Sequence, residues 1–210
     1  MILKQTDAFT RGRDYLHQVQ GFALEPGMVD VFDNVRDRIP ICTWIGNNIN
    51  IVNAQINTYL DLCHECFHPQ ERRHIQIFAV PIAQSFGIDG LCNILTNPVT
   101  ILVDVGRVAP RDWFGLVIHE YAHAHLGDFG HNQRFASILS HLCLGLALEP
   151  PYWESGMEAT LRSWPYCKST IDPLEFWIGQ PLPDGTLREP GSQKLTLSKV
   201  EVSKVKSQKF

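Results

Sequence analysis

The stretch from residue 110 to residue 127 constrains the fold of this 210-residue chain most strongly, because it has the repeat of a helix and carries polar groups among its apolar ones. Pro110 is suited to the first turn of a helix, and Gly127 is suited to its end. Between them, apolar side chains recur at spacings of three and four, at Trp113, Leu116, Val117, Tyr121 and Ala124. We therefore predict a helix over residues 111–126.

Two histidines and a glutamate interrupt the apolar surface of this predicted helix. His119 and His123 are four positions apart, so they project from one face and can share one cation. Glu120 lies roughly 100° around the helix from His119, where its carboxylate can reach a metal-bound water without ligating the metal. This H-E-x-x-H pattern is typical of zinc sites in which the glutamate is the general base.

A catalytic zinc site normally takes three protein ligands and one water, so a third ligand has to come from another part of the chain. The preferred candidate is His131, because two glycines before it allow the chain to turn back beneath the helix. A rival source is a predicted helix over 154–163, which offers Glu154 and Glu158.

Two further polar residues lie near the pattern. His125 points to a different side of the helix from His123, so we expect it to lie at the surface or to support a ligand. Asp128 either accepts a hydrogen bond from a ligating histidine or is an ordinary loop residue. If either residue completed a closed four-ligand site, the metal would be structural rather than catalytic.

The motif HEYAH at 119–123, followed by GHNQRF at 130–135, resembles SprT-like and YgjP/Wss-type zinc metallopeptidases. In those families a third histidine is followed, four positions on, by an aromatic residue, and Phe135 stands there in this chain. The resemblance covers about residues 99–145 and implies a zincin-like α+β fold, with a small mixed or antiparallel sheet packed on the motif helix. It also implies that the strand over 99–106 runs beside this helix and can pair with an extended substrate.

Elsewhere, periodicity predicts both strands and helices. Strands are expected over 74–82 and as a pair within 88–108, with Asn97-Pro98 marking the turn between the paired strands. Residues 41–67 are ambiguous, because alternating isoleucines near residue 50 favour a strand whereas 53–66 suits a helix. The other predicted helices lie at 10–20, 28–38 (ended by Pro40), 132–147 and 154–163.

Composition narrows the class of protein. The net charge of −4 gives no electrostatic footprint for nucleic acid, and the paired C-x-x-C motifs of the DNA-binding zinc ribbon in some SprT relatives are absent. No run approaches about 18 apolar residues, and the N-terminus lacks the apolar core of a signal peptide, so no membrane partner is expected. Six cysteines without a secretion signal indicate mostly reduced thiols and a cytoplasmic protein.

A C-x-x-C pair at Cys63 and Cys66 is surrounded by His64, His68 and His74. We expect an ordinary structural role, with a second metal site or a redox pair as alternatives.

The composition also changes near residue 183. We predict one metallohydrolase domain over 1–182, followed over 183–210 by a C-terminal tail or an added edge strand.

The sequence as a whole predicts a zinc-dependent metallopeptidase acting on peptide or protein substrates. His119, His123 and His131 would bind zinc, while Glu120 would take a proton from water and return it to the leaving amine. The alternative is a non-catalytic zincin-like binding module with a structural metal. Candidates for stabilising the oxyanion, none of them selected by spacing, are Tyr152, Tyr166 and Arg134.

Overall fold

The protein is described from a computed structural model, which covers residues 7–29, 35–167 and 169–180. The α-helices in these ranges are α1 (Ala8–Gln20), α2 (Val35–Glu65), α3 (Trp113–Leu126), α4 (Gln133–Gly145), α5 (Glu158–Arg162) and α6 (Pro173–Trp177). The strands are β1 (Ile75–Ala79), β2 (Gly90–Asn93) and β3 (Val99–Val103). The predicted tail or edge strand over 183–210 lies outside the described residues.

The three strands form one mixed sheet in the order β1-β3-β2. β1 runs parallel to β3, whereas β2 runs antiparallel to it. Helix α3 packs against β2 and β3, and helix α2 packs against β1. The predicted α+β class with a small mixed sheet is confirmed.

The expectation that the strand over 99–106 pairs with a substrate is wrong. This strand is β3, which lies at the centre of the sheet and is hydrogen-bonded on both edges. Its residues from Thr100 to Val103 are all buried, and such an unbroken apolar run is typical of a central strand. The edge beside the motif helix belongs to β2.

Residues 41–67 do not contain the strand that alternating isoleucines suggested. They lie almost entirely in α2, a helix of 31 residues. Its buried stripe recurs every three or four positions, at Ile45, Ile49, Val52, Ile56 and Leu60. Burial of this stripe overrides the β-preference of isoleucine and valine, because that preference mainly reflects packing context.

Pro40, expected to end a helix, instead lies near the start of α2. At this position the proline removes one helical hydrogen bond, the one to the backbone carbonyl of residue 36, and its ring crowds the same carbonyl, yet the helix continues to Glu65. Of the predicted helix over 28–38, residues 35–38 are helical and belong to α2, whereas Met28 ends a 3-10 turn formed by Pro26–Met28. Residues 30–34 of that prediction lie outside the described residues. The other predicted helices are present, although the one over 154–163 is shortened to α5.

Helices α1 and α2 cross in backbone contact. A Cβ atom at Gly12 would lie 1.8 Å from the carbonyl oxygen of Cys42, and one at Gly46 would lie 1.8 Å from that of Ala8. Any larger side chain at either glycine would force the helices apart. Asp7 starts α1 by accepting a hydrogen bond from the backbone N–H of Thr10 at 2.9 Å.

A buried carboxylate ties the end of β3 to α6. Asp104 accepts hydrogen bonds from the backbone N–H of Ile82 at 2.9 Å and from the indole N–H of Trp177 at 2.8 Å. It also pairs with Arg107 at 3.2 Å. Burial raises the pKa of Asp104 to about 6, against the opposing effect of these hydrogen bonds. The same network fixes the sheet end nearest the candidate site.

No helix within the described ranges is long and apolar enough to cross a bilayer. All six cysteines lie in those ranges, and each is a free thiol, as expected.

Candidate metal centre

Helix α3 carries the H-E-x-x-H motif where the sequence predicts it. A 3-10 turn at Pro110–Asp112 leads into the helix, and Gly127 ends it in the left-handed conformation (φ 72°), with its N–H bonded to the carbonyl of His123. A residue with a Cβ atom adopts this conformation only with strain. The motif residues are buried, so the chain folds their polar atoms into the interior.

The imidazoles of His119, His123 and His131 converge on one point. The Nε2 atom of His131 lies 3.1 Å from Nε2 of His119 and 3.2 Å from Nε2 of His123. Among the described residues, these three form the one group of potential ligands close enough together to hold a metal ion. His131 lies just before α4, whose first residue is Gln133.

These separations suit a small divalent cation. Zinc–nitrogen bonds of about 2.0–2.1 Å in a tetrahedral site place the nitrogens about 3.3–3.4 Å apart, close to the two spacings observed here. The Nδ1 atom of His123 lies 2.9 Å from the backbone carbonyl of Asp128 and donates to it. In a neutral ring the Nε2 atom then carries a lone pair, as metal ligation requires.

Nδ1 of His119 is buried beside the backbone of Trp164 but outside ordinary hydrogen-bond geometry. Buried polar atoms of this kind are rare and usually mark a functional site or a missing partner. A hydrogen bond between two of the three facing Nε2 atoms leaves the third without a partner inside the cluster, whereas one cation could bind all three.

Phe135 forms the floor of the three-histidine cluster. Its side chain is fully buried, and its ring centroid lies 4.4–5.1 Å from those of His119, His123 and His131. The aromatic residue named by the family resemblance therefore contacts all three candidate ligands and limits the rotamers open to them.

Burial keeps these imidazoles neutral. It lowers the pKa of His119 to about 3, with smaller contributions from the other two rings. It lowers the pKa of His131 to about 4, with further contributions from His123 and Arg162. For His123 burial also lowers the pKa, against the opposing hydrogen bond to Asp128. Neutral imidazole is the form that binds metals.

Glu120 lies against β2, at Gly90. A Cβ atom at Gly90 would be 3.0 Å from the Oε1 atom of Glu120, so a larger residue there would crowd the carboxylate. Burial, together with the nearby Asp89 carboxylate, raises the pKa of Glu120 to about 8. The sequence marked Asp89-Gly90 as a turn and did not assign it to the site.

Asp128 and His125, the two residues expected to support the site, lie in different surroundings. The carboxylate of Asp128 bonds to Gly130 and Asn132, and its backbone carbonyl is what meets His123. His125 stacks on Phe67, with ring centroids 3.8 Å apart, away from the cluster. Neither belongs to the converging group found in the described part of the chain, so the closed four-ligand arrangement is not formed there.

The rival third ligands are not brought to the centre. Glu154 instead accepts a hydrogen bond from Tyr152, and Glu158 is exposed at the start of α5. Cys63 and Cys66 do not meet two further ligands from the histidines near them, as far as the chain is described. The ordinary structural role expected for this pair stays a prediction.

A cavity of about 580 Å³ opens onto the three histidines and Glu120. Its volume lies within the range of small-molecule and short-peptide sites. Of the three oxyanion candidates, Tyr166 lines this cavity, whereas Tyr152 and Arg134 do not. Trp164 also forms part of the wall, while Trp177 is fully buried in the core.

One residue of the cavity wall, Arg162, had no signal in the sequence. It reaches the site because α5 and the following segment fold back over α3, where the Pro165 ring lies against Gly115. Contacts between such distant segments leave no periodic pattern in the sequence, so they could not be predicted from it.

No protein-family model, curated protein or solved structure matches this chain. The functional conclusions therefore depend on the residues and geometry of this molecule alone.

Proposed function

We propose that this protein is a zinc-dependent metallopeptidase. The observation that carries the proposal is the convergence of three neutral imidazole nitrogens beside a buried carboxylate, within a cavity. Three histidines and one open position are the usual protein contribution to a catalytic zinc site.

His119, His123 and His131 would hold the metal, each through Nε2. When bound, zinc lowers the pKa of a coordinated water to about 7 and polarises a substrate carbonyl. Glu120 accepts the proton of the attacking water and delivers it to the leaving amine. Gly90 leaves the room in which this carboxylate lies beside the histidines.

The raised pKa of Glu120 fits this role once a cation is considered. Burial favours the protonated carboxyl, but a divalent charge held by the adjacent histidines favours the ionised form. The carboxylate can then switch between its two protonation states near neutral pH, as a general base must.

The edge of β2 supports a peptide as the substrate. The N–H of Asp104 bonds to the carbonyl of Asp89 at 2.7 Å, and hydrogen-bonded pairs alternate along an antiparallel ladder. The backbone groups of Gly90 and Cys92 therefore point away from β3, on the edge that no described strand occupies. Both residues line the cavity, so an extended peptide could add to this edge.

We also propose that the resemblance to SprT-like peptidases extends from the motif to the fold. A small mixed sheet packs on the motif helix, and an edge strand passes beside its glutamate. This arrangement supports a zincin-like assignment, with β2 in the place that the sequence gave to residues 99–106. The non-catalytic alternative is less well supported, because it would need a fourth protein ligand.

Replacing Glu120 with Gln tests the proposal. Hydrolysis of a mixed set of internally quenched peptides should fall by on the order of 10²–10⁴-fold, while zinc content stays unchanged. The matched control is Glu149→Gln, because Glu149 is exposed and outside the cavity. Full activity in the Glu120→Gln variant would remove Glu120 from the mechanism.

A further inference from the structure

The cavity has an uneven distribution of charge. Among the described residues that line it, Arg162 is the one lysine or arginine, whereas Asp89 and Glu120 are the carboxylic acids. Within the described ranges Arg162 makes no hydrogen bond and no ion pair, unlike Arg107, which pairs with Asp104. The guanidinium is therefore available to a ligand that enters the cavity.

Arg162 and Glu120 line the same cavity from different elements of the fold. Glu120 comes from α3 and lies against Gly90 of β2. Arg162 is the last residue of α5 and lines the cavity together with His131. The cavity therefore offers a ligand both the guanidinium of Arg162 and the three histidines.

The backbone that carries Arg162 is anchored on both sides. Leu161, immediately before it, is fully buried, and Pro165 packs on Gly115 of α3. Farther on, the N–H of Thr170 bonds to the carbonyl of Arg107 at 2.8 Å. A fixed backbone with a free, exposed guanidinium suits the capture of a charged group on a substrate.

We propose that Arg162 binds a carboxylate of the substrate, first of all the C-terminal carboxylate of a peptide. This inference rests on the proposed metallopeptidase function and narrows its substrate class. Arginine presents a planar fork of donors that matches a carboxylate in bidentate geometry. A bound carboxylate would place the bond to be cleaved near the C-terminus of the peptide.

A role in stabilising the oxyanion fits Arg162 less well. Such donors work because they are held in place before the reaction begins. The side chain of Arg162 is exposed, and within the described ranges no hydrogen bond fixes it. A group of this kind gains its order on binding and contributes to affinity more than to the chemical step.

The exposed apolar side chains of the cavity wall indicate which kind of substrate side chain would lie near the bound carboxylate. Three apolar side chains that line the cavity are markedly exposed, namely Leu24 (40%), Phe129 (50%) and Tyr166 (93%). Burying such groups against a ligand is favourable at about 25 cal/mol per Å² of apolar surface. We therefore expect a short peptide with apolar side chains and a free carboxylate.

The test measures binding separately from turnover. Three probes are titrated calorimetrically into zinc-loaded Glu120→Gln protein: N-acetyl-leucyl-phenylalanine as the free acid, the same dipeptide as its amide, and N-acetyl-leucyl-glutamic acid α-amide. The free acid should bind roughly 10- to 150-fold more tightly than its amide, since a hydrogen bond to a charged group contributes about 1.5–3 kcal/mol. The third probe shows whether a side-chain carboxylate serves equally well.

Arg162→Gln in the same background should abolish the preference for the free acid, and Arg162→Lys should keep part of it. The matched control is Arg13→Gln, because Arg13 is an exposed residue of α1 outside the cavity. Equal binding of acid and amide to the parent protein would overturn the proposal. So would a preference that survives Arg162→Gln.

Turnover by protein with Glu120 intact separates the remaining outcomes. If Arg162→Gln lowers kcat equally for the free acid and the amide, the residue stabilises the oxyanion and the proposal is wrong. A rise in KM for the free acid alone supports it. If the free acid is preferred in binding but never hydrolysed, the metallopeptidase function fails while the carboxylate site remains.

Discussion

Two clusters of histidines flank helix α3, and they differ in where their nitrogen atoms point. In the three-histidine cluster, His119, His123 and His131 direct Nε2 to one point above Phe135. The Phe67 cluster consists of His64, His125 and His141, gathered around the rings of Phe67 and Tyr121. Helix α3 supplies residues to both.

In the Phe67 cluster the histidines have separate partners. His64 forms a hydrogen bond with the Tyr121 hydroxyl at 3.0 Å, and His141 lies 2.8 Å from the carbonyl oxygen of Cys66. His125 is stacked on Phe67 instead. A high local number of histidines is therefore not enough for a metal centre. The nitrogen lone pairs must also converge on one point, as they do only in the three-histidine cluster among the described residues.

The largest contrast is expected between His131→Ala and His141→Ala. Removing His131 takes away a ligand, so zinc affinity should fall by more than the roughly 100-fold that loss of a ligand's hydrogen-bond partner can cause. His141 should be dispensable, since it is exposed and bonds only to a backbone carbonyl. Competition with a chromophoric chelator measures both, and equal affinities would refute the distinction between the clusters.

The next effect concerns the base rather than the metal. Gly90→Ala places a methyl group 3.0 Å from Oε1 of Glu120 and displaces the carboxylate. A contact of 3.0 Å requires a shift of only a few tenths of an ångström. Peptide hydrolysis should therefore fall, by less than the roughly 100-fold that misplacement of a catalytic group by about 1 Å can cause, with zinc content unchanged. Gly27→Ala is the control, because a Cβ atom there meets nothing within 4 Å. A fully active Gly90→Ala enzyme would argue against this placement of the base.

A matched pair of phenylalanines then separates stability from metal binding. Phe135→Ala and Phe67→Ala should each lower the free energy of unfolding by about 3–5 kcal/mol, as buried phenylalanines do. Only Phe135→Ala should also weaken zinc binding, by about tenfold, because Phe135 holds the orientation of the ligands. Denaturant unfolding and zinc competition give the two quantities, and equal zinc affinities would contradict a role for Phe135.

The smallest effect is expected from Tyr121→Phe, which removes the hydrogen bond to His64. The free energy of unfolding should fall by about 0.5–1.5 kcal/mol at pH 7, with zinc affinity unchanged. Burial lowers the pKa of His64 below its usual 6.5, so its contribution to stability is present above pH 6.5 and is lost as pH falls. The difference between the two proteins should therefore shrink between pH 7 and pH 5 in metal-free samples. A constant difference would contradict this assignment.

The sequence predicted the centre of the site because that part is local. His119 and His123 share a helix, and His131 follows a short glycine turn, so spacing alone relates the three. Gly90 and Arg162 could not be found in this way. Gly90 reaches Glu120 through the packing of β2 on α3, and Arg162 reaches the cavity through a fold of the chain.

The fold was predicted less completely than the site. The strands and α3 followed their periodic patterns, but the isoleucines of α2 suggested a strand because isoleucine favours β structure wherever packing permits. The position of β3 within the sheet was also missed, since strand order is set by pairing between distant segments. For this reason the sequence assigned the substrate-pairing strand to β3, whereas β2 is the strand at the edge of the sheet.

The most direct test of the central claim is the metal content of untagged protein purified without chelator, compared with His123→Ala and His125→Ala. The two variants remove histidines two positions apart on the same helix, one from each cluster. The account predicts about one zinc per chain in the wild type and in His125→Ala, and none in His123→Ala. A wild-type protein that contains no metal, and takes up none when zinc is added, would contradict it.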